Sequence, residues 1–176
     1  MAEYLDLLEK AVGGDPSAQF DLAYMLYHGK GVERNRSEAR QWYRKSAVQG
    51  NADARYELGT LYQYGRGVDK NMDEAINWYT IGAKGGNVQA GTELGIIFLY
   101  GNGVKTDYKK AIRWLTFSAE NDDAQARFEL AEMYSRGTGV GKDRLKALRW
   151  YRIAAGQGDT QARAEADSIE TMIKPY

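Results

Sequence analysis

Residues 51–86 read NADARYELGTLYQYGRGVDKNMDEAINWYTIGAKGG, and this one stretch decides the fold. Ala54, Leu58, Leu61 and Tyr62 lie at i, i+4, i+7 and i+8, which places them on a single apolar stripe of a helix. The stripe stops at Gly65, the start of Gly65-Arg66-Gly67-Val68, and glycine takes the left-handed conformation that ends helices. Asn71 then offers an N-capping side chain. A second stripe follows it, Ala75, Trp78, Tyr79 and Ala83, and closes near Gly86. The stretch predicts two helices, A and B, joined by a glycine loop.

The same text recurs on both sides. Gly-x-Gly-Val stands at Gly29–Val32, Gly65–Val68, Gly101–Val104 and Gly137–Val140, always 36 residues apart. The four tryptophans, Trp42, Trp78, Trp114 and Trp150, keep the same interval. Helix A stripes repeat as Ala18/Leu22/Met25/Leu26, Ala90/Leu94/Ile97/Phe98 and Ala126/Leu130/Met133/Tyr134, and the helix B starts as Asn35, Asp107 and Asp143. Full repeats therefore occupy 15–50, 51–86, 87–122 and 123–158. Residues 1–14 match a lone helix B, with Asp6 in place of the tryptophan. Residues 159–176 match a lone helix A in which Ala166, Asp167 and Glu170 replace the leucine, the small residue and the aromatic, as a solvent-facing cap requires.

A hairpin of two such helices cannot bury both faces, but stacked hairpins cover one another. The small column Ala23, Gly59, Gly95 and Ala131 lets neighbouring helices approach closely. The expected fold is all-α: a right-handed α/α solenoid of antiparallel helix hairpins, capped at both ends, as one domain over 1–176. The tryptophans share a stripe with alanines and are expected in the core.

Composition narrows the function. Lys plus Arg and Asp plus Glu number 24 each, so the net charge is zero and a generic nucleic-acid or anionic-membrane binder is disfavoured. No cysteine is present, which removes disulfides, thiol nucleophiles and thiolate metal sites. The one histidine, His28, falls at the end of a helix A, where contact with the C-terminal dipole accounts for it. The N-terminal MAEYLDLLEK has acids among its apolar residues and lacks the unbroken core of a leader. The longest apolar run, Leu94 to Tyr100, is far short of a membrane span. The chain as written reads as cytoplasmic; a periplasmic or secreted location would need a leader already removed.

Ala-x-x-x-Leu-Gly/Ala, an aromatic, Gly-x-Gly-Val and Ala-x-x-Trp-Tyr-x-x-x-Ala together resemble the Sel-one-like repeat family, a branch of the tetratricopeptide-like solenoids. The resemblance covers the whole chain, and the glycine loop and period of 36 separate it from the plain 34-residue tetratricopeptide repeat. Departures are small: Leu115 replaces the tyrosine beside Trp114, and the cysteine pairs of some secreted members are missing. The resemblance implies a non-catalytic adaptor that holds other macromolecules in assemblies.

No catalytic constellation emerges from the residues. Gly137-Thr138-Gly139-Val140-Gly141-Lys142 has Arg136 and Asp143 where a phosphate loop needs Gly and Ser or Thr, so it reads as a repeat turn. Asp21, Glu57, Glu93, Glu129 and Glu165 recur once per helix A. A catalytic carboxylate pair needs two unlike environments, so repetition argues for a structural or groove-lining role. The basic run Lys30, Arg34, Arg36, Arg40, Arg44 and Lys45 is confined to the first repeat and reads foremost as a solvated face, with an acidic or phosphate-bearing partner as the functional alternative. Asn35-Arg36-Ser37 is a glycosylation sequon, relevant only in a secretory compartment.

Columns that vary between repeats carry the functional signal. Helix A lines the inner surface of related solenoids, and its variable columns hold Tyr24, Tyr27, Tyr64, Ile96, Leu99, Tyr100 and Arg136, with Glu57 and Glu93 alongside. These side chains are heavier than a solvent face needs, and tyrosine is an effective interface anchor. They form the expected partner-binding groove, suited to a protein or peptide with apolar anchors and some positive charge. The expected function is a non-catalytic interaction scaffold, without cofactor, metal, membrane or nucleic acid. Two alternatives stand beside it: an immunity-type inhibitor masking a toxin or effector, and, from another class, an RNA-binding helical-repeat protein.

Overall fold

A computed structural model describes residues 2–173, which form ten α-helices and no strand. They are α1 (Ala2–Val12), α2 (Pro16–His28), α3 (Arg36–Val48), α4 (Ala52–Tyr64), α5 (Met72–Lys84), α6 (Val88–Tyr100), α7 (Tyr108–Glu120), α8 (Ala124–Arg136), α9 (Arg144–Gly156) and α10 (Thr160–Ile173). Residues 1 and 174–176, the extremities of the two expected half-repeats, lie outside the described residues.

Each helix from α2 to α10 starts on a side chain that accepts a backbone N–H three residues on. The oxygens belong to Asp15, Asn35, Asn51, Asn71, Asn87, Asp107, Asp123, Asp143 and Asp159, at 2.7–3.1 Å. Such a cap satisfies one of the N–H groups that a helix start leaves unpaired. The helix B caps are those expected from sequence; the helix A caps are an addition. Helix A ends as expected, on Gly29, Gly65 and Gly137 with φ of 66–77°. Helix B is followed by a second left-handed residue, a glycine in three full repeats and Asp122, at φ 69°, in the third.

The helices group into two compact units, Met1–Ala90 and Gly91–Tyr176. In the first unit the hairpins are antiparallel: Ser46 Oγ, near the end of α3, donates to Pro16 O at the start of α2 at 2.6 Å. Successive hairpins are latched by side chains that reach back to the last turn of the preceding helix B. Gln19 Nε2 donates to Ala11 O at 3.1 Å and Arg55 Nε to Ala47 O at 3.0 Å. The core holds Leu22, Leu58, Leu61, Tyr43 and Tyr79, all but inaccessible.

The second unit follows the same rules. Arg127 Nε donates to Ala119 O at 2.8 Å, and its other arm pairs with Asp122 at 2.5 Å. Leu115 lies against Gly95, where a Cβ would come within 2.6 Å of it, and Leu130, Met133 and Tyr151 complete the core. On α10 only Ala162, Ala166 and Ile169 are buried; Asp167 is exposed and Glu170 accepts from Arg152 Nε at 2.8 Å.

One expectation needs correction. Among the tryptophans only Trp42 is buried, whereas Trp78, Trp114 and Trp150 are half-buried. The fully buried position is the next one, Tyr43, Tyr79, Leu115 and Tyr151. Adjacent helical residues point about 100° apart, so only one of the pair faces the Ala/Gly column of helix A directly. The indole flanks it and keeps a polar edge: Trp42 Nε1 donates to Glu38 at 3.4 Å.

Candidate functional site

In the first unit, α2 and α4 carry Tyr24, Tyr27, Glu57 and Tyr64. Tyr24 and Tyr27 are half-buried and brought together by His28, whose ring centroid lies 4.3 and 4.9 Å from theirs. Lys30 Nζ sits 4.5 Å from the Tyr24 ring centre and donates to its hydroxyl at 3.2 Å, while the Arg36 guanidinium is 5.3 Å from Tyr27. Burial, then the charges of Lys30 and Arg36, hold His28 below the usual histidine range. At the end of α4, Tyr64 is 54% exposed, with Arg66 4.8 Å from its ring.

Glu57 is half-buried and makes no ion pair among the described residues. Burial first and the charge of Asp53 second push its carboxyl up, against a smaller opposing effect of Arg66. The hydroxyl of Tyr43 is buried without a hydrogen-bond partner, and burial followed by the charge of Glu57 raises it strongly. The equivalent hydroxyls are satisfied: Tyr79 donates to Gln63 Oε1 at 2.5 Å and Tyr151 to Glu132. Gln63 sits one repeat from Tyr27 and Glu132 three repeats from Tyr24, so the tyrosines of the first repeat stand where the others carry partners.

In the second unit, α6 and α8 carry Glu93, Ile96, Leu99, Tyr100 and Arg136. Glu93 and Ile96 are half-buried; Tyr100 is 59% exposed and donates to Glu129 at 2.7 Å. Burial, then this bond, pushes the Tyr100 hydroxyl up to about 12. Arg136 pairs with Glu132 at 2.5 Å. Leu99 departs from expectation: it is only 8% exposed and belongs to the packed part of α6, which buries Ile97, Phe98 and Leu99 in succession. Leu99, Tyr100 and Arg136 do converge, on a cavity of about 80 Å³ that Glu129, Glu132 and Met133 also line. The column pattern passes over Met133 because it belongs to the core stripe.

No group of three or more His, Cys, Asp or Glu side chains among the described residues is arranged to hold a metal ion, and none of their helices is long and apolar enough to cross a membrane. The loop after α8 is a turn with Gly137 and Gly139 at φ 77° and 69°.

Helix hairpins repeated every 36 residues and punctuated by glycine loops define a helical-repeat protein of the solenoid type. The chain belongs to the Sel1 repeat family, whose pattern matches residues 16–51, 52–87, 89–123 and 124–159. Its fold is similar to that of a Sel1 repeat protein from Oxalobacter formigenes, 33% identical with a TM-score of 0.84 over 96% of this chain and 76% of that one. It is also similar to c5321, a protective antigen of uropathogenic Escherichia coli with an SLR fold, at 33% identity and TM-score 0.87 over 90% of this chain and 34% of that one. The immunity protein Pa5087 of Pseudomonas aeruginosa matches at 25% identity and TM-score 0.57, over 90% of this chain and 58% of its own. Forty residues, 23% of the chain, are 50% identical to the chitin synthase regulator SKT5 of Saccharomyces cerevisiae and span 6% of that protein. Sel1 repeat proteins generally mediate protein–protein interactions on a non-catalytic fold.

Proposed function

We propose that this chain is a non-catalytic interaction scaffold that binds a peptide or protein partner on its helix A surface. The observation that supports this most directly is that each unit exposes a tyrosine at the end of a helix A, Tyr64 on α4 (54%) and Tyr100 on α6 (59%). Exposed tyrosines offer large rigid area with a polar tip, the side chain most often found at interface hot spots. Their neighbours vary between repeats, Tyr24 and Tyr27 in the first unit and Ile96 and Arg136 in the second, beside the recurring carboxylates Glu57 and Glu93. Variation on a fixed frame is the pattern of a recognition surface. Affinity capture with the native chain and with Tyr64→Ala/Tyr100→Ala tests it. The double variant is expected to lose partners that the native chain retains, and identical partner sets would overturn the proposal.

The similarity to immunity protein Pa5087 supports a narrower second reading, in which the partner is a toxin or effector held inactive. Co-expression with toxins encoded beside the gene separates the two readings. Protection of growth favours the narrower one, and growth arrest despite binding excludes it.

A further inference from the structure

The first repeat concentrates basic residues, and the structure sets two groups of them apart. Lys30, Arg36 and Lys45 lie over the rings of Tyr24, Tyr27 and Trp42. Arg40 and Arg44 do not: neither has an ion-pair partner among the described residues, and Arg40 Nε is buried with no hydrogen-bond partner at all. One turn apart on α3, the two arginines line a cavity of about 80 Å³ together with Gln41, Leu58, Tyr62 and Trp78. No carboxylate lines it. Its residues are distinct from the helix A set proposed above.

A buried N–H without an acceptor is costly and rare in folded proteins. Arg40 is half-buried and Arg44 exposed, and no carboxylate lines the cavity they share, so neither charge is paired within the described residues. A carboxylate would neutralise one of them. A phosphoryl group carries about −1.5 to −2 at neutral pH and three acceptor oxygens, and planar guanidinium forks match it in bidentate fashion. At about 80 Å³ the cavity is small, which suits a compact anionic group. Leu58, Tyr62 and Trp78 supply an apolar and aromatic wall for the chain that would bear it. We infer that Arg40 and Arg44 form an oxyanion site for the phosphoryl group of a phosphorylated side chain on a partner protein.

The test uses the full chain labelled with nitrogen-15, reading the arginine Nε–H signals and the Trp78 indole N–H. A short alanine- and glycine-flanked phosphoserine peptide and inorganic phosphate are titrated, beside the unphosphorylated peptide and acetate. Saturable shifts are expected with the first two, and binding at least tenfold weaker in Arg40→Gln/Arg44→Gln. Arg34→Gln, which removes a basic residue of the same repeat outside this cavity, is expected to keep it. Equal response to the unphosphorylated peptide or to acetate would overturn the assignment. So would unchanged phosphopeptide affinity in the double variant, or binding of inorganic phosphate without the phosphopeptide. Circular dichroism confirms that the double variant remains helical, so loss of binding is read as loss of the site.

Discussion

Gly59 and Tyr79 share one space: a Cβ on Gly59 would stand 2.5 Å from two carbons of the Tyr79 ring. Tyr79 is fully buried and its hydroxyl is bonded to Gln63, so the ring has little freedom to withdraw. Helix propensity alone favours alanine over glycine by about 1 kcal/mol, whereas overpacking a tight interior costs roughly 1–3 kcal/mol. Gly59→Ala is therefore expected to lower stability in urea or thermal unfolding. Gly156, also helical, has open space around its Cβ position. Gly156→Ala is expected to leave stability unchanged or raise it by up to about 1 kcal/mol. The two substitutions have the same chemistry and opposite predicted signs.

The tyrosine hydroxyls give a second contrast. Tyr43→Phe removes a buried oxygen with no partner, and is expected to be neutral or stabilising by up to about 1 kcal/mol. Tyr79→Phe removes the donor to Gln63 and leaves a buried amide oxygen short of its bond, at a cost of about 1–3 kcal/mol. Matched chemical denaturation of the two variants reads the difference directly; equal losses would contradict it.

Glu57 makes stability depend on pH in a defined direction. Burial raises its folded-state pKa above the ordinary 4.5. A raised acid favours the folded state while protonated, so its contribution is fully present below the unfolded pKa and is lost as pH rises through the folded value. Glu57→Gln is expected to raise the Tm at pH 7, by up to about 2–4 °C if the gain approaches 1 kcal/mol. The difference should shrink toward zero below about pH 4. A constant offset at every pH would show that the carboxyl is not the cause.

Asp122 is the described non-glycine residue with positive φ, 69°, and it pairs with Arg127, whose side chain is only 8% exposed. Asp122→Ala loses the pair and keeps the left-handed backbone, which costs a residue with a Cβ about 1–2 kcal/mol. Asp122→Gly loses the pair but relieves the backbone. The alanine variant is expected to be less stable than the glycine variant by roughly 1 kcal/mol, measured by thermal unfolding.

Much of this was legible in the sequence because a repeat states its rules several times. The helix A stripes, the glycine stops, the caps of helix B and the polar last helix all follow from spacing and side-chain chemistry. What escaped were choices between adjacent residues. Trp78 and Tyr79 satisfy the same periodicity, and only the position of Gly59 decides which ring goes inside. Leu99 sits in a column whose other members are polar or aromatic, Tyr27, Gln63 and Ser135. Yet α6 buries its flanks as well as its stripe, so the leucine is drawn into the core. The helix A caps, Asp15, Asn51, Asn87, Asp123 and Asp159, follow directly on the end of helix B and read as linker until their hydrogen bonds are seen. Met133 lines the Tyr100 cavity although it is a buried member of the core stripe, a double role that spacing alone does not reveal.

The nine capping side chains carry a consequence for how such a chain changes length. Each helix from α2 to α9 holds its own start signal within its own 36-residue segment, and α10 carries the same signal at Asp159. The unit is thus punctuated rather than merely repeated. An in-frame deletion or duplication of 36 residues leaves every opening mark intact, wherever in the segment it begins. Copy number is then a heritable setting that recombination can edit without composing new boundaries, and the residues exposed on each copy are free to be rewritten afterwards.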